Sequence, residues 1–216
     1  MRIAADALLF DLDGTLVDST PNIVRAWTRW AMEEGVAEAA LRAVPTHGRT
    51  SAELNADLVP PDRVAPSMRR IEELEMAAAG DVTPLPGARE LVAGLPRDRW
   101  AVVTSGNRRL ALARLAAAGL CAPVLITADD VGRGKPDPEP YLLGARRLAV
   151  DPGRCVVVED APSGLTAAEA AGMRRVAVTT THRADELQAD AVIGDLYAMQ
   201  VVAHDGRLTV SVRLGR

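Results

Sequence analysis

Residues 8–20 read LLFDLDGTLVDST, an apolar run that ends on Asp11 and Asp13 with one leucine between them and Gly-Thr behind. If residues 7–11 form a strand, both aspartates leave its carboxyl end on one side, while Leu12 points to the other, into the core. Two like charges placed side by side require a cation. A hard divalent ion with oxygen ligands relieves the repulsion. Mg²⁺ takes one or two protein carboxylates and completes its octahedron with water and substrate phosphate. Read alone, DLDG is also an ordinary acidic turn.

Three further polar clusters follow later apolar runs. VVTSGN brings Thr104 and Ser105 to a strand end and opens a helix through Gly106 and Asn107. Its free backbone N–H groups suit an anion, although Ser and Thr are equally common as plain helix caps. GRGKPDPEPY carries Lys135, the only lysine among 25 cationic residues. A compact ammonium supplies a point charge that a guanidinium fork does not, but a solvated loop lysine would read the same way. VVVEDAPSG sets Glu159 and Asp160 at another strand end. Four polar clusters, each placed after a strand, converge on one sheet edge and so on one site.

The elements that must position them are legible from the apolar pattern. Continuous apolar runs at 7–10, 100–104, 123–127, 155–159, 175–178 and 191–193 predict strands buried on both faces, the mark of a parallel sheet. Segments 86–95, 107–119, 138–149 and 162–172 suit crossover helices, each ending near a glycine or a proline-bearing turn. Strand, helix, strand with right-handed crossovers gives an α/β, doubly wound, mostly parallel sheet of Rossmann type, with ligands beyond the strand carboxyl ends. From 18 to 82 the pattern is helical only, at 21–34, 36–43, 50–58 and 64–79. The expected division is therefore a core of 1–17 and 83–216 with a helical insert of 18–82. QVVAHDGRLTVSVRL at 200–214 alternates around Asp205-Gly206 and predicts an edge hairpin at the C-terminus.

The chain has 216 residues, 48% of them apolar and 25% charged, with a net charge of −4. That suits one substantial core with a small insert and gives no basic stripe for nucleic acid. Nothing approaches a membrane span or a signal peptide. Cys121 and Cys155 both lie in apolar surroundings, so buried reduced thiols and a cytoplasmic address are expected.

DLDGT, Thr104, Lys135 and the Glu159-Asp160 pair together resemble the four motifs of the haloacid dehalogenase superfamily, over essentially the whole chain. The resemblance implies that Asp11 is a nucleophile forming an aspartyl-phosphate and Asp13 a general acid and base. It implies Mg²⁺ bound by Asp11, the Asp13 carbonyl and Asp160, with Glu159 supporting directly or through water. Thr104 and Lys135 complete the catalytic set. The chemistry agrees, since a carboxylate attacks an anionic phosphate only when charge is neutralised. Nucleophile and proton shuttle must also address opposite sides of one phosphorus. The superfamily's dehalogenases lack the second acid and the metal, so Asp13 favours phosphate chemistry.

The insert occupies the place of the superfamily's helical cap. HGRT, LPGARELVAGLP, RWAVVTSGNRR, TADDVGRGKPDPEPYLLGARRL and VVVEDAPSGLTAAEAAGM resemble the branch of sugar, glycerol-phosphate and 2-deoxyglucose-6-phosphate phosphatases. A small phosphorylated sugar or polyol is the implied substrate. Its candidate contacts are Thr15, His47, Arg49, Ser105, Gly106, Asn107 and Arg108. Trp27 and Trp30 are available as an aromatic surface in the cap. The expected assembly is a monomer or weak dimer, with neither nucleic acid nor membrane as partner. Two other functions fit the same sequence. One is a phosphomutase of the β-phosphoglucomutase kind on this scaffold, and the other a non-catalytic binder of phosphorylated metabolites.

Overall fold

Two strands open the chain, β1 at Arg2–Ala5 and β2 at Ala7–Phe10, and a short β3 follows at Val17–Asp18. The structure, a computed structural model, describes residues 1–43, 51–204 and 206–213. His47, Arg49 and Asp205 therefore lie outside the described residues. Four helices come next, α1 Thr20–Glu34, α2 Glu38–Ala43, α3 Ser51–Leu58 and α4 Val64–Ala78. The chain returns through β4 at Thr83–Pro84, α5 at Ala88–Ala93, β5 at Trp100–Val103, α6 at Arg108–Ala117 and β6 at Leu125–Ile126. It continues with α7 Glu139–Arg147, β7 Cys155–Glu159, α8 Pro162–Ala170, β8 Arg174–Val178 and β9 Ala191–Ile193. β10 Met199–His204 and β11 Arg207–Val212 end it.

Among the described residues the main sheet runs β6-β5-β2-β7-β8-β9, every neighbouring pair parallel. In chain order that is 3-2-1-4-5-6, the doubly wound arrangement whose strand order reverses beside β2. Alternation along each strand serves two cores. Leu8, Phe10, Val102, Val156 and Val158 face one layer with α5 and α6. Ala7, Leu9, Val103, Cys155 and Val157 face the other with α7 and α8. Each large apolar side chain removed from water contributes about 1.5–3 kcal/mol, so the central strands are held from both sides.

β3 and β4 pair antiparallel, Val17 opposite Pro84 and Asp18 opposite Thr83. This two-stranded stalk brings both ends of the helical insert together close behind Asp13. The insert has its own core of Ala26, Trp27, Trp30, Ala31, Val59, Ile71 and Leu74, where α1 packs on α4. Trp30 and Trp27 meet edge to face at 5.2 Å. The Trp30 indole N–H donates to Ser67 Oγ at 2.8 Å, and Asn55 donates to the same oxygen at 3.0 Å. Trp30 is thus a fully buried core residue rather than a surface for ligands.

Three expectations need correction. The C-terminal hairpin is present, but it does not extend the edge of the main sheet. β10 and β11 form a separate antiparallel sheet with β1, in the order β1-β11-β10. β1 itself has no counterpart among the predicted strands, because RIAA offers too little apolar bulk to mark it. Cys155 is buried, and burial pushes its thiol up to about 12. Cys121, in contrast, is exposed. No helix among the described residues is long and apolar enough to cross a membrane.

Candidate active site

β2 and β7 are neighbours with Phe10 opposite Val158, so Asp11 emerges from the sheet edge beside Glu159. The Asp11 N–H donates to the Val158 carbonyl at 3.0 Å. Leu12 turns down into the core, which leaves Asp11 and Asp13 on the crevice side. Gly14 then takes φ +88°, and a Cβ there would stand 2.3 Å from Asp160 Oδ2. Only glycine lets this turn come so close to the carboxylate. Thr15 Oγ1 donates to Asp160 Oδ1 at 3.1 Å, and the Thr181 hydroxyl donates to the other oxygen. The Thr180 hydroxyl donates to the Gly14 carbonyl, so the loop after β8 clamps the loop after β2.

Lys135 lies under this turn and is buried. Its ammonium donates to Asp11 Oδ1 at 2.6 Å, Glu159 Oε1 at 2.7 Å and the Val103 carbonyl at 2.9 Å, which uses all three N–H groups. Tyr141 donates its hydroxyl to Glu159 Oε1 at 2.9 Å and sets its ring 4.9 Å from the Lys135 nitrogen. Glu159 Oε2 accepts the N–H groups of Asp160 and Ala161 at 3.0 and 3.1 Å. A Cβ on Gly164 would overlap the Glu159 carboxylate at 1.7 Å, so α8 can lie over it only with glycine there. Glu159 is therefore first of all the orienting partner of Lys135.

The charges do not balance within the protein. Asp11, Glu159 and Asp160 can each offer an oxygen within 4.8 Å of the others. Burial pushes the Asp11 carboxyl well above the usual carboxylate range, against the pull of Lys135 and aided by Glu159, Asp160 and Asp13. Burial and then Glu159 push Asp160 up to about 7, despite its hydrogen bonds from Thr181 and Thr15. Lys135 stays an ammonium, because Asp11 and Glu159 outweigh its burial. Crowded, buried carboxylate oxygens of this kind fit a hard divalent cation such as Mg²⁺, which would restore the ionised state of Asp11.

Thr104, buried at the end of β5, accepts the Gly106 N–H on its hydroxyl at 3.1 Å. Ser105 and Gly106 border a cavity of about 560 Å³, together with Asp13, Trp27, Glu75 and Arg114 among others. Two of the expected substrate contacts are occupied elsewhere. Asn107 caps α6 by accepting the Leu110 N–H at 2.9 Å. Arg108 pairs with Asp130 at 2.7 Å and borders a separate groove with Pro123 and Arg147.

Sequence reasoning missed Tyr141, Thr181, Glu75 and Arg114. Arg114 is 4% exposed, with NH1 2.8 Å from Asp13 Oδ1 and NH2 3.7 Å from Glu75 Oε2. The approach to Asp13 is an ion pair without hydrogen-bond alignment, so that Asp13 oxygen and Arg114 Nε are both buried without a hydrogen bond among the described residues. Burial raises the Glu75 carboxyl, against Arg114 and with Asp13 adding. A signal for Arg114 was present. It shares the buried stripe of α6 with Leu110, Ala111 and Leu115, a position where an arginine is out of place.

Comparison with known proteins agrees with this geometry. A haloacid dehalogenase-like hydrolase family model matches residues 5–172. Hexitol phosphatase A of Escherichia coli is 44% identical over 79% of this chain and 81% of its own. Validoxylamine A 7'-phosphate phosphatase of Streptomyces hygroscopicus subsp. limoneus is 41% identical over 87% and 92%. The crystal structure of CbbY from Rhodobacter sphaeroides in complex with phosphate superposes with a TM-score of 0.74 at 29% identity, covering 89% of this chain and 95% of that one. With the sheet order, the DLDGT turn and the family match in agreement, the chain belongs to the haloacid dehalogenase-like hydrolases.

Proposed function

We propose that the chain is a Mg²⁺-dependent phosphomonoesterase of small sugar or polyol phosphates that works through an aspartyl-phosphate on Asp11. The observation that carries this reading is the buried ammonium of Lys135, which holds one Asp11 oxygen at 2.6 Å, while Asp13, two residues on, borders the cavity. The Asp11 carboxylate attacks phosphorus, and the bond from phosphorus to the leaving oxygen breaks as Asp13 gives its proton to that oxygen. Water then attacks the same phosphorus while Asp13 takes up a proton, and the bond to Asp11 breaks to release phosphate. Thr104 keeps its hydroxyl proton to donate to a phosphate oxygen, and Lys135 offsets charge on the transferring group. Asp11, the Asp13 carbonyl and Asp160 would hold Mg²⁺, with Glu159 in support. When bound, the metal supplies charge neutralisation for carboxylate and phosphate.

In this reading residues 18–82 are a cap over a core of 1–17 and 83–216, and closure excludes water from the reacting phosphate. The names of the hexitol and validoxylamine phosphate phosphatases support a sugar or polyol phosphate as substrate. The working form is a monomer or weak dimer in the cytoplasm. The test is phosphate release across sugar and polyol phosphates with Mg²⁺, beside chelated controls. Release from at least one, lost on chelation and restored by Mg²⁺, is the expected result. No release from any would overturn the reading, and phosphoryl return to a second sugar would replace hydrolysis with mutase chemistry.

A further inference from the structure

Arg114 has no part in the chemistry assigned to Asp11 and Lys135. Yet it is a fully buried cation that borders the cavity between the core and the helical insert. Its guanidinium carries five N–H donors in a fixed fork. The two carboxylates it faces use them poorly. Asp13 is near but misaligned, Glu75 is 3.7 Å away, and Nε has no partner among the described residues. A buried donor without a protein partner is costly, and beside this cavity its acceptor comes from water or from a bound molecule. The rest of the lining is mostly apolar, Trp27, Leu54 and Leu110 among it, with Thr28, Glu38 and Ser105 as its other polar side chains.

We infer that Arg114 is the specificity-determining residue that reads hydroxyl groups of the leaving alcohol. The inference rests on the proposed role of Asp13. If Asp13 protonates the leaving oxygen, that oxygen lies within hydrogen-bond reach of its carboxylate. Arg114 is 2.8 Å from the same carboxylate, which puts its remaining donors near the second carbon out from the leaving oxygen. A polyol or sugar carries a hydroxyl there, and that hydroxyl accepts from the guanidinium while donating to Glu75. A simple alkyl chain leaves the fork unpaired. Sites built to hydrogen-bond a substrate hydroxyl reject the analogue that lacks it, because their own buried groups are then unsatisfied.

The experiment compares glycerol 1-phosphate with propyl phosphate, which differ only in two hydroxyl groups, on wild type, Arg114→Met and Arg114→Lys. Wild type should prefer the glycerol ester by roughly ten- to hundredfold in kcat/KM. Arg114→Met should bring the two to within about threefold of each other, chiefly by loss on the glycerol ester, and Arg114→Lys should recover part of the preference. Equal losses on both esters would make Arg114 a mere support for Asp13 or for the insert, and would overturn the inference. So would an unchanged preference in Arg114→Met, or no preference in wild type, the latter even if neither variant folds. The same pairs are measured as equilibrium binding in an Asp11→Asn background. Hydroxyl-dependent binding that needs Arg114, together with wild type that hydrolyses neither ester, would remove the phosphatase reading and leave this assignment standing. Hydroxyl-independent binding would remove this assignment alone.

Discussion

The floor of the site and its wall are built on opposite principles. On the floor, Lys135 spends every N–H on a partner between 2.6 and 2.9 Å away, and both Glu159 oxygens are filled. On the wall, Arg114, Asp13 and Glu75 face one another at 2.8 and 3.7 Å with two polar atoms left over. The carboxylates of the floor come from parallel strand ends, whose register fixes their positions before any ligand arrives, and Lys135 reaches them from the loop that follows β6. The wall comes from helices α4 and α6 and the turn after β2. Groups that must be preorganised sit where the backbone allows no choice, and groups that must meet an incoming molecule are left short of partners.

Breaking the floor should cost most. Lys135→Met leaves Asp11 and Glu159 buried together without their cation, so kcat should fall by about 10²–10³-fold. The same change should cost about 3–5 kcal/mol of stability, read by denaturant titration. A variant with near-normal turnover would show that the ammonium is not needed. Next is Gly164→Ala, whose Cβ would meet the Glu159 carboxylate at 1.7 Å. A loss of about 1–3 kcal/mol is expected by thermal melting. Gly194→Ala, with nothing within 4 Å of its added carbon, serves as the control and should change little.

The charge imbalance of the floor gives a signed pH effect. Folded Asp160 holds its proton up to about pH 7, whereas the unfolded chain releases it near the ordinary aspartate value of 3.8. The folded state therefore binds more protons between those values, and stability without metal should fall as pH rises through that window. Mg²⁺ should raise Tm more at about pH 8 than at about pH 5.5, because only the ionised carboxylates bind it. A metal-free Tm that climbs over this range, or a larger Mg²⁺ gain at the lower pH, would contradict the assignment. The smallest effect belongs to Tyr141→Phe, which removes one hydrogen bond to Glu159 and should cost about 1 kcal/mol. A loss as great as that of Lys135→Met would make Tyr141 a partner in the chemistry rather than a positioning residue.

The acidic part of the floor was readable in the sequence because it is built from strand ends, whereas Tyr141, on α7, was not. Once ALLF and CVVVE are taken as buried parallel strands, Asp11, Glu159 and Asp160 fall at the same edge with no further information. The wall was not readable in that way. Glu75 and Arg114 lie on helices rich in charged residues, and only packing between insert and core brings them together. Asn107 and Arg108 stand next to a motif, and only the structure shows that local capping and Asp130 engage their side chains. The pairing of the C-terminal hairpin with β1 escaped for a related reason. β1 is marked less by its own four residues than by the partner β11 at the far end of the chain.

The central claim is that Asp11 carries the phosphoryl group, and trapping that group tests it most directly. Wild type mixed with Mg²⁺ and its best sugar or polyol phosphate, then quenched in acid, should carry one added phosphoryl group on the peptide containing Asp11. Asp11→Asn, folded by circular dichroism, should carry none and show no steady-state phosphate release. Turnover by Asp11→Asn above a trace, or a phosphoryl group on any other residue, would contradict it.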